Sequence, residues 1–218
     1  AMARFQLAEI IRSDSPAEAR SIATLAVDRH PGSIGGKQCQ NLIAQIEAKE
    51  VSVTTERTWA EPWPAIQVTY RNIDRLHLRL VRANWEERLR EGKPSGQWID
   101  QKDRGQILSL PILQSATMAL PATDDYRSAI QTTSVQAVFE TETIAPGAYW
   151  VVCSPREDFS ESDNVVSTTL IWVSQISVVN ATGHQAQRAQ HTGYVVNSQS
   201  GEPIRGAKVT VWRRDRNS

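Results

Sequence analysis

The period of the apolar positions changes near residue 50. Before it, the spacing is helical. Phe5, Leu7, Ala8 and Ile11 open a first apolar stretch. Ser15-Pro16-Ala17-Glu18 then reads as a helix start, with serine as cap, proline at the first helical position and glutamate completing a capping box. Ala19, Ile22, Ala23, Ala26 and Val27 follow on one helical face. His30-Pro31-Gly32-Ser33 breaks that helix, and Gly35-Gly36 precedes another, with Cys39, Leu42, Ile43 and Ile46 as its apolar face. The pattern predicts a short helical hairpin over residues 1–50. One such unit cannot bury its own apolar face, so it either joins further repeats or packs on the next domain as an adaptor.

After residue 50 the period is two. Val51 and Val53, then Ile66, Val68 and Tyr70, then Leu76, Leu78 and Leu80 alternate with polar residues, as half-buried strands do. Residues 82–106 form a polar excursion with a short helix predicted at Trp85–Arg90. Ile107–Leu113 and Ala116–Leu120 read as weaker strands or loop. Thr133, Val135, Ala137 and Phe139 alternate again, and Ile144-Ala145-Pro146-Gly147 turns into a buried strand at Tyr149–Cys153. Val165–Val173 and Gln175–Val179 complete about seven short strands, the pattern of a β-sandwich. The expected fold is therefore mainly β, with the sandwich over residues 51–181. Residues 182–218 read as a polar linker at Thr182–Gln190, a strand at His191–Asn197, a turn at Ser200-Gly201-Glu202-Pro203 and a second strand at Gly206–Trp212. A lone hairpin is marginal in water. This one is expected to be the opening of a following domain, packed on the sandwich, paired with another copy or poorly ordered. Ala1 ahead of Met2 reads as a cloning remnant, so residue 1 is not expected to be the natural start.

Composition narrows the function. Among 218 residues, 24 Lys and Arg balance 24 Asp and Glu, which gives no electrostatic reason to expect nucleic acid or an anionic membrane as partner. Apolar runs reach only about six residues, too short to span a bilayer. The two cysteines, Cys39 and Cys153, fall in segments of different type and read as buried free thiols, with one disulfide as the alternative. Neither has a CxxC partner, so no zinc site is expected. No GxSxG, HExxH, GxGxxG or phosphate loop occurs. No catalytic residue, cofactor or metal site is predicted, and the chain reads as a non-enzyme.

The remaining candidates each have a bland alternative. His30, His77, His184 and His191 are scattered, with His77 on the polar face of a strand and His184 and His191 flanking the linker. Asp124-Asp125 and the run Glu157-Asp158, Glu161 and Asp163 carry clustered oxygens as calcium needs, but so do solvated loops. Asn180-Ala181-Thr182 is a glycosylation sequon. Arg213-Arg214 and Arg216 read as a solvated run. Trp85 and Trp98, in the polar excursion, are the candidate partner surface. They would stack on a glycan in one reading and cap the sandwich edge in the other.

Two stretches carry a resemblance. Gly193-Tyr194-Val195-Val196-Asn197, then Ser200-Gly201-Glu202-Pro203-Ile204-Arg205-Gly206-Ala207-Lys208-Val209-Thr210-Val211-Trp212, resembles the first hairpin of macroglobulin and carboxypeptidase-regulatory-like β modules. Ala65–Ile73, Leu78–Arg82, Leu120-Pro121, Ala145-Pro146-Gly147-Ala148-Tyr149-Trp150-Val151-Val152 and Trp172–Ile176 resemble an early macroglobulin domain of bacterial alpha-2-macroglobulin-like proteins. The helical start is similar to a tetratricopeptide-like segment that precedes this module in some members. The resemblance implies a secreted, periplasmic or surface protein that traps proteases, with other macroglobulin domains of the same chain as partners, and proteases met by the whole protein. An oligomer could form through the terminal hairpin. The family's thioester motif is Cys-x-Glu-Gln. Cys39 is followed by Gln40-Asn41-Leu42 and Cys153 by Ser154-Pro155-Arg156, so no thioester residue carries over. The competing readings are a surface adhesion or carbohydrate-binding sandwich and an extension of an outer-membrane transport protein.

Overall fold

The computed structural model describes residues 1–92, 99–180 and 193–210. Three helices come first: α1 (Met2–Ile11), α2 (Pro16–Arg29) and α3 (Ile34–Glu47). They share a small core of Ala8, Ala19, Ala23, Ala26, Cys39, Leu42 and Ile46. The alanines let the helices approach closely, and the predicted faces of α2 and α3 are the ones buried. The hairpin expectation thus becomes a three-helix layer, because Phe5, Ala8 and Ile11 do pack on the other two helices.

Two local expectations change with it. Ser15 caps α2 through its backbone, with no bond from its hydroxyl, so the capping box is not formed. Gly35 and Gly36 lie inside the first turn of α3, not ahead of it. A Cβ on Gly35 would meet the Met2 nitrogen at 2.5 Å, and one on Gly36 would meet the His30 carbonyl oxygen at 2.1 Å. The start of α3 is pressed against the start of α1 and the end of α2, and only glycine fits there. Ser33 caps this helix, accepting from the Gly36 N–H at 3.0 Å.

The β part is built from β1 (Glu50–Thr55), β2 (Thr58–Trp59), β3 (Ala65–Arg71), β4 (Arg75–Arg82), β5 (Ile112–Ala119), β6 (Ala129–Ser134), β7 (Gly147–Ser154) and β8 (Ser167–Val173). One sheet runs β1-β3-β6, and the other runs β2-β8-β7-β4-β5. All pairings are antiparallel except β2 on β8. Between the sheets lies the main core, with Trp59, Ile66, Val68, Tyr70, Leu76, Leu78, Leu80, Tyr149, Val151 and Ile171. Each such side chain contributes about 1.5–3 kcal/mol on burial.

The outer face of the five-stranded sheet is covered too. The helices α4 (Trp85–Arg90) and α5 (Gln101–Leu108) and the loop 155–166 lie there. They bury Val81, Ala83, Ala148, Trp150 and Val152 with Ile107, Phe159 and Val166. Strand β7 is consequently buried on both faces, which is why its run Ala148–Cys153 reads as continuous rather than alternating.

Several predicted strands are helical or shifted. Ile107–Leu113 holds the end of α5 and a loop, and the strand begins at Ile112. Asp100 caps α5, accepting from the Asp103 N–H at 2.7 Å. Strand β6 stops at Ser134, and Val135–Val138 form a short helix, α6, capped by the Ser134 hydroxyl. Val135 and Phe139 are still buried, but through helical spacing. With helix and strand in similar amounts, the chain is a helix-covered sandwich rather than mainly β.

Strand β9 (Ile176–Asn180) does not join either sheet of the sandwich. It pairs antiparallel with β10 (Gly193–Asn197). Past the turn at 198–202, Pro203 bridges to Val196 and the Ile204 N–H donates to the Val195 carbonyl at 2.8 Å. The predicted second strand forms no ladder over residues 206–210, and its remainder, Val211-Trp212, lies outside the described residues.

The helical layer is tied to the sandwich at the β3–β4 turn. Asn72, in the left-handed region at φ 58°, donates from Nδ2 to the carbonyls of Ile46 at 2.7 Å and Ala48 at 2.9 Å. The loop 121–128 reaches back from the other side. Tyr126 packs on the helical core under the Arg20 guanidinium, and Arg127 donates to the Asp14 carbonyl.

Candidate partner surface

Trp85 opens α4 on the outer face of the five-stranded sheet. It is half-buried and meets Trp172 of β8 edge-on, with ring centroids 4.7 Å apart and planes at 78°. That arrangement is a favourable aromatic geometry. Trp85 therefore seals the rim of the outer core, and its burial leaves only part of the indole for a partner. Trp98, the other tryptophan named by sequence, lies outside the described residues.

Three residues further along α4, Arg88 sits with its guanidinium 5.1 Å from the centroid of the Trp150 ring. Arg88 is 8% exposed, and Asp103 of α5 is 2% exposed nearby. Asp103 has a partner of its own. Sequence reasoning missed both residues. The one available signal was Trp85 and Arg88 at i and i+3 on a predicted helix. Nothing in the order of residues told that Trp150 would face outward beneath them.

The other candidates are local. His77 shares a 3.1 Å hydrogen bond between its Nδ1 and Thr117 Oγ1 across the β4–β5 ladder. His30 ends α2, its N–H donating to the Ala26 carbonyl. His184 and His191 lie outside the described residues, as do Ala181-Thr182 of the sequon and the arginine run at the end. Asp125 accepts from the Arg127 N–H at 3.0 Å, while Asp124 is exposed. In the loop 155–164, Arg156 binds Asp158 through Nε at 3.1 Å and Nη2 at 2.7 Å, and Arg104 faces Glu161 at 3.3 Å. The Arg156 guanidinium and the Ser160 N–H hold the Asp158 carboxyl down at about 2. These carboxylates are matched by arginines rather than gathered around one point. Among the described residues, no group of three His, Cys, Asp or Glu side chains is disposed to hold a metal ion.

Cys39 and Cys153 are both free and buried, one in the helical core and one in the main core. Burial pushes both thiols up, Cys153 to about 12, with a hydrogen bond from Ser167 partly offsetting this. Among the described residues, no helix is long and apolar enough to cross a membrane.

No family model matches the chain, and no curated protein matches it either. Among solved structures, the chain is similar to native alpha-2-macroglobulin from Escherichia coli in a crystal structure spanning domains MG0-NIE-MG1. The identity is 12% and the TM-score 0.47, over 71% of this chain and 48% of that one, so the chain spans about half the length of this neighbour. A second structure of the same protein, spanning domains NIE-MG1, is similar at 11% identity and a TM-score of 0.47, over 71% of this chain and 73% of that one.

Proposed function

We propose that the chain is a non-enzymatic framework module of a larger alpha-2-macroglobulin-like protein, and that the whole protein traps proteases outside the cytoplasm. The sequence resemblance is the basis of this reading. The observation that carries it is what the Ala-Pro-Gly-x-Tyr run does. Gly147 opens β7 at φ 154°, beside the Arg82 guanidinium, and Tyr149 donates from its hydroxyl to the Ala145 carbonyl at 2.6 Å. The motif thus closes its own turn and launches the strand that both cores share. The residues that carry the resemblance serve architecture here, and a framework module is where such residues belong.

In this reading residues 1–50 are a helical adaptor and 51–181 the macroglobulin-like domain. The segment 182–218 leads into the next domain. Exposed Val178 and Tyr194 on the β9–β10 pair would be covered by that neighbour. The test uses the full natural protein, incubated with trypsin. A trap shields trypsin from large protein substrates while leaving its hydrolysis of a small ester intact, and its own mobility on native gels shifts. Trypsin that stays active on both substrates, with no shift, would overturn the reading. Thiol release by methylamine then separates a thioester-bearing trap from one without.

A further inference from the structure

Strands β5 and β6 end the two sheets on one side of the sandwich. On the opposite side the sheets close on each other, with Thr169 Oγ1 of β8 donating to the Val53 carbonyl of β1 at 3.0 Å. Among the described residues, the backbone of β5 bonds to β4 alone and that of β6 to β3 alone. Open edges are usually guarded by charge or proline, because their unpaired N–H and C=O groups are a template for another strand. These two are unguarded. Ile112–Ala119 and Ala129–Ser134 hold no Asp, Glu, Lys, Arg or Pro, while the inner strands β3 and β4 carry Arg71, Arg75, Arg79 and Arg82. Gln114 closes the start of this side. Its Oε1 accepts from the Glu140 N–H at 2.9 Å, and its Nε2 donates to the Glu140 carbonyl at 3.0 Å. Beyond it the side stands open. Ala116 and Met118 pack against the main core yet are only half-buried, and Ser115, Thr117 and Ala119 between them are exposed.

We propose that Ser115–Ala119 pairs with the same residues of a second copy, antiparallel about a two-fold axis at Thr117, so that two five-stranded sheets become one continuous sheet. The open edge itself defines the partner. A strand that completes it needs apolar side chains at every second position, to cover the half-open core, and uncharged ones between them. Residues 115–119 have that pattern, so the edge is its own complement. The two-fold sets Ala116 against Met118 of the second copy at two symmetric places, a small side chain against a large one, and Thr117 against its counterpart. No like charges meet between the paired strands, because β5 has none. The pairing does not rest on the protease-trap reading.

Sedimentation equilibrium of the whole chain tests this, and a reversible equilibrium of monomer and dimer is expected. Thr117→Lys sets two ammonium groups face to face at an exposed position, and should weaken the dimer about fivefold or more while leaving the urea midpoint of the monomer unchanged. Thr117→Cys should give a disulfide-linked dimer under mild oxidation, because directly opposed strand residues have Cα atoms about 4.5–5.5 Å apart, within disulfide reach. Ser52→Cys, also exposed but on β1, should link only by slow random collision. A chain that stays monomeric at about 1 mM, a dimer that Thr117→Lys leaves intact, or equal linking of the two cysteine variants would overturn the proposal. A monomer that takes up a synthetic Ile112–Ala119 peptide without pairing to itself would overturn it too, and would assign the edge to a foreign strand.

Discussion

The guanidinium of Arg79 lies over the ring of Phe159, 3.8 Å from its centroid, and its Nη2 donates to the Glu157 carbonyl at 3.0 Å. Strand β4 thereby grips the loop 155–164 from below, while the Phe159 ring is buried in the outer core. Phe159→Ala should cost about 3–5 kcal/mol, the usual price of a deleted core aromatic. Arg79→Met keeps the stem packed but loses the cation and its hydrogen bond, and should cost about 1–2 kcal/mol. Urea unfolding followed by tryptophan fluorescence measures both. A cost under about 1 kcal/mol for Phe159→Ala would mean that the ring does not anchor the loop.

Asn72 joins three requirements at one position: a left-handed backbone, two donors for the end of α3, and an N–H accepted by Thr123 Oγ1 at 2.9 Å. Asn72→Gly keeps the backbone conformation and loses only the side-chain bonds, so about 1–2 kcal/mol is expected. Asn72→Leu adds strain at positive φ and should cost more. Limited proteolysis should then cut first between α3 and β1, since the tie between helical layer and sandwich is what these changes weaken. Equal costs for the two variants would show that the backbone conformation contributes nothing.

The strand faces of β1 and β3 were legible because each buries one side only, and that of β4 because over Leu76–Leu80 its outer-face residues are polar, so Val51, Ile66, Leu78 and their neighbours alternate with polar residues. The helical faces were legible for the same reason at period 3.6. What failed was local and has physical causes. Val135 and Phe139 fit both periods, and the Ser134 cap decides for helix. The helix α5 carries Gly105 and only Ile107 as a buried apolar residue, too little periodicity to read. Gly35-Gly36 looked like a break because the crowding against Met2 and His30 is tertiary. The placement of Arg88 on the outer face was hidden in the same way. Arg88 is an ordinary helical arginine in sequence, and its burial depends on Trp150 lying about sixty residues further along, on a strand covered from both sides.

Asp158 gives a clean pH signature. Its carboxyl is held at about 2, below its ordinary 3.8, first by the Arg156 side chain and then by the Ser160 N–H. A depressed carboxyl stabilises the fold above its ordinary value and loses that contribution as pH falls from about 3.8 through about 2. Both partners are exposed, so the contribution to stability is small. Arg156→Gln should return the titration of the Asp158 carboxyl carbon, read by NMR, toward its ordinary value. An unmoved midpoint would place the cause elsewhere in the loop.

The two thiols report on the cores from the alkaline side. Burial lifts Cys153 from its ordinary 9.0 to about 12, and lifts Cys39 as well. A raised thiol means that the native state holds its proton where the unfolded chain has lost it. The neutral thiol therefore stabilises fully below pH 9, and this contribution is lost progressively as pH rises from about 9 toward about 12. Cys153→Ala should flatten the decline of stability above pH 9 relative to the unchanged chain, measured by urea midpoints at a series of pH values. At pH 8 a thiol reagent should leave both cysteines untouched in the native protein and titrate both after unfolding, since thiolate and access are each withheld. Fast reaction of Cys153 in the native state would mean that β7 opens locally, and the two-sided burial on which the fold rests would not hold in solution.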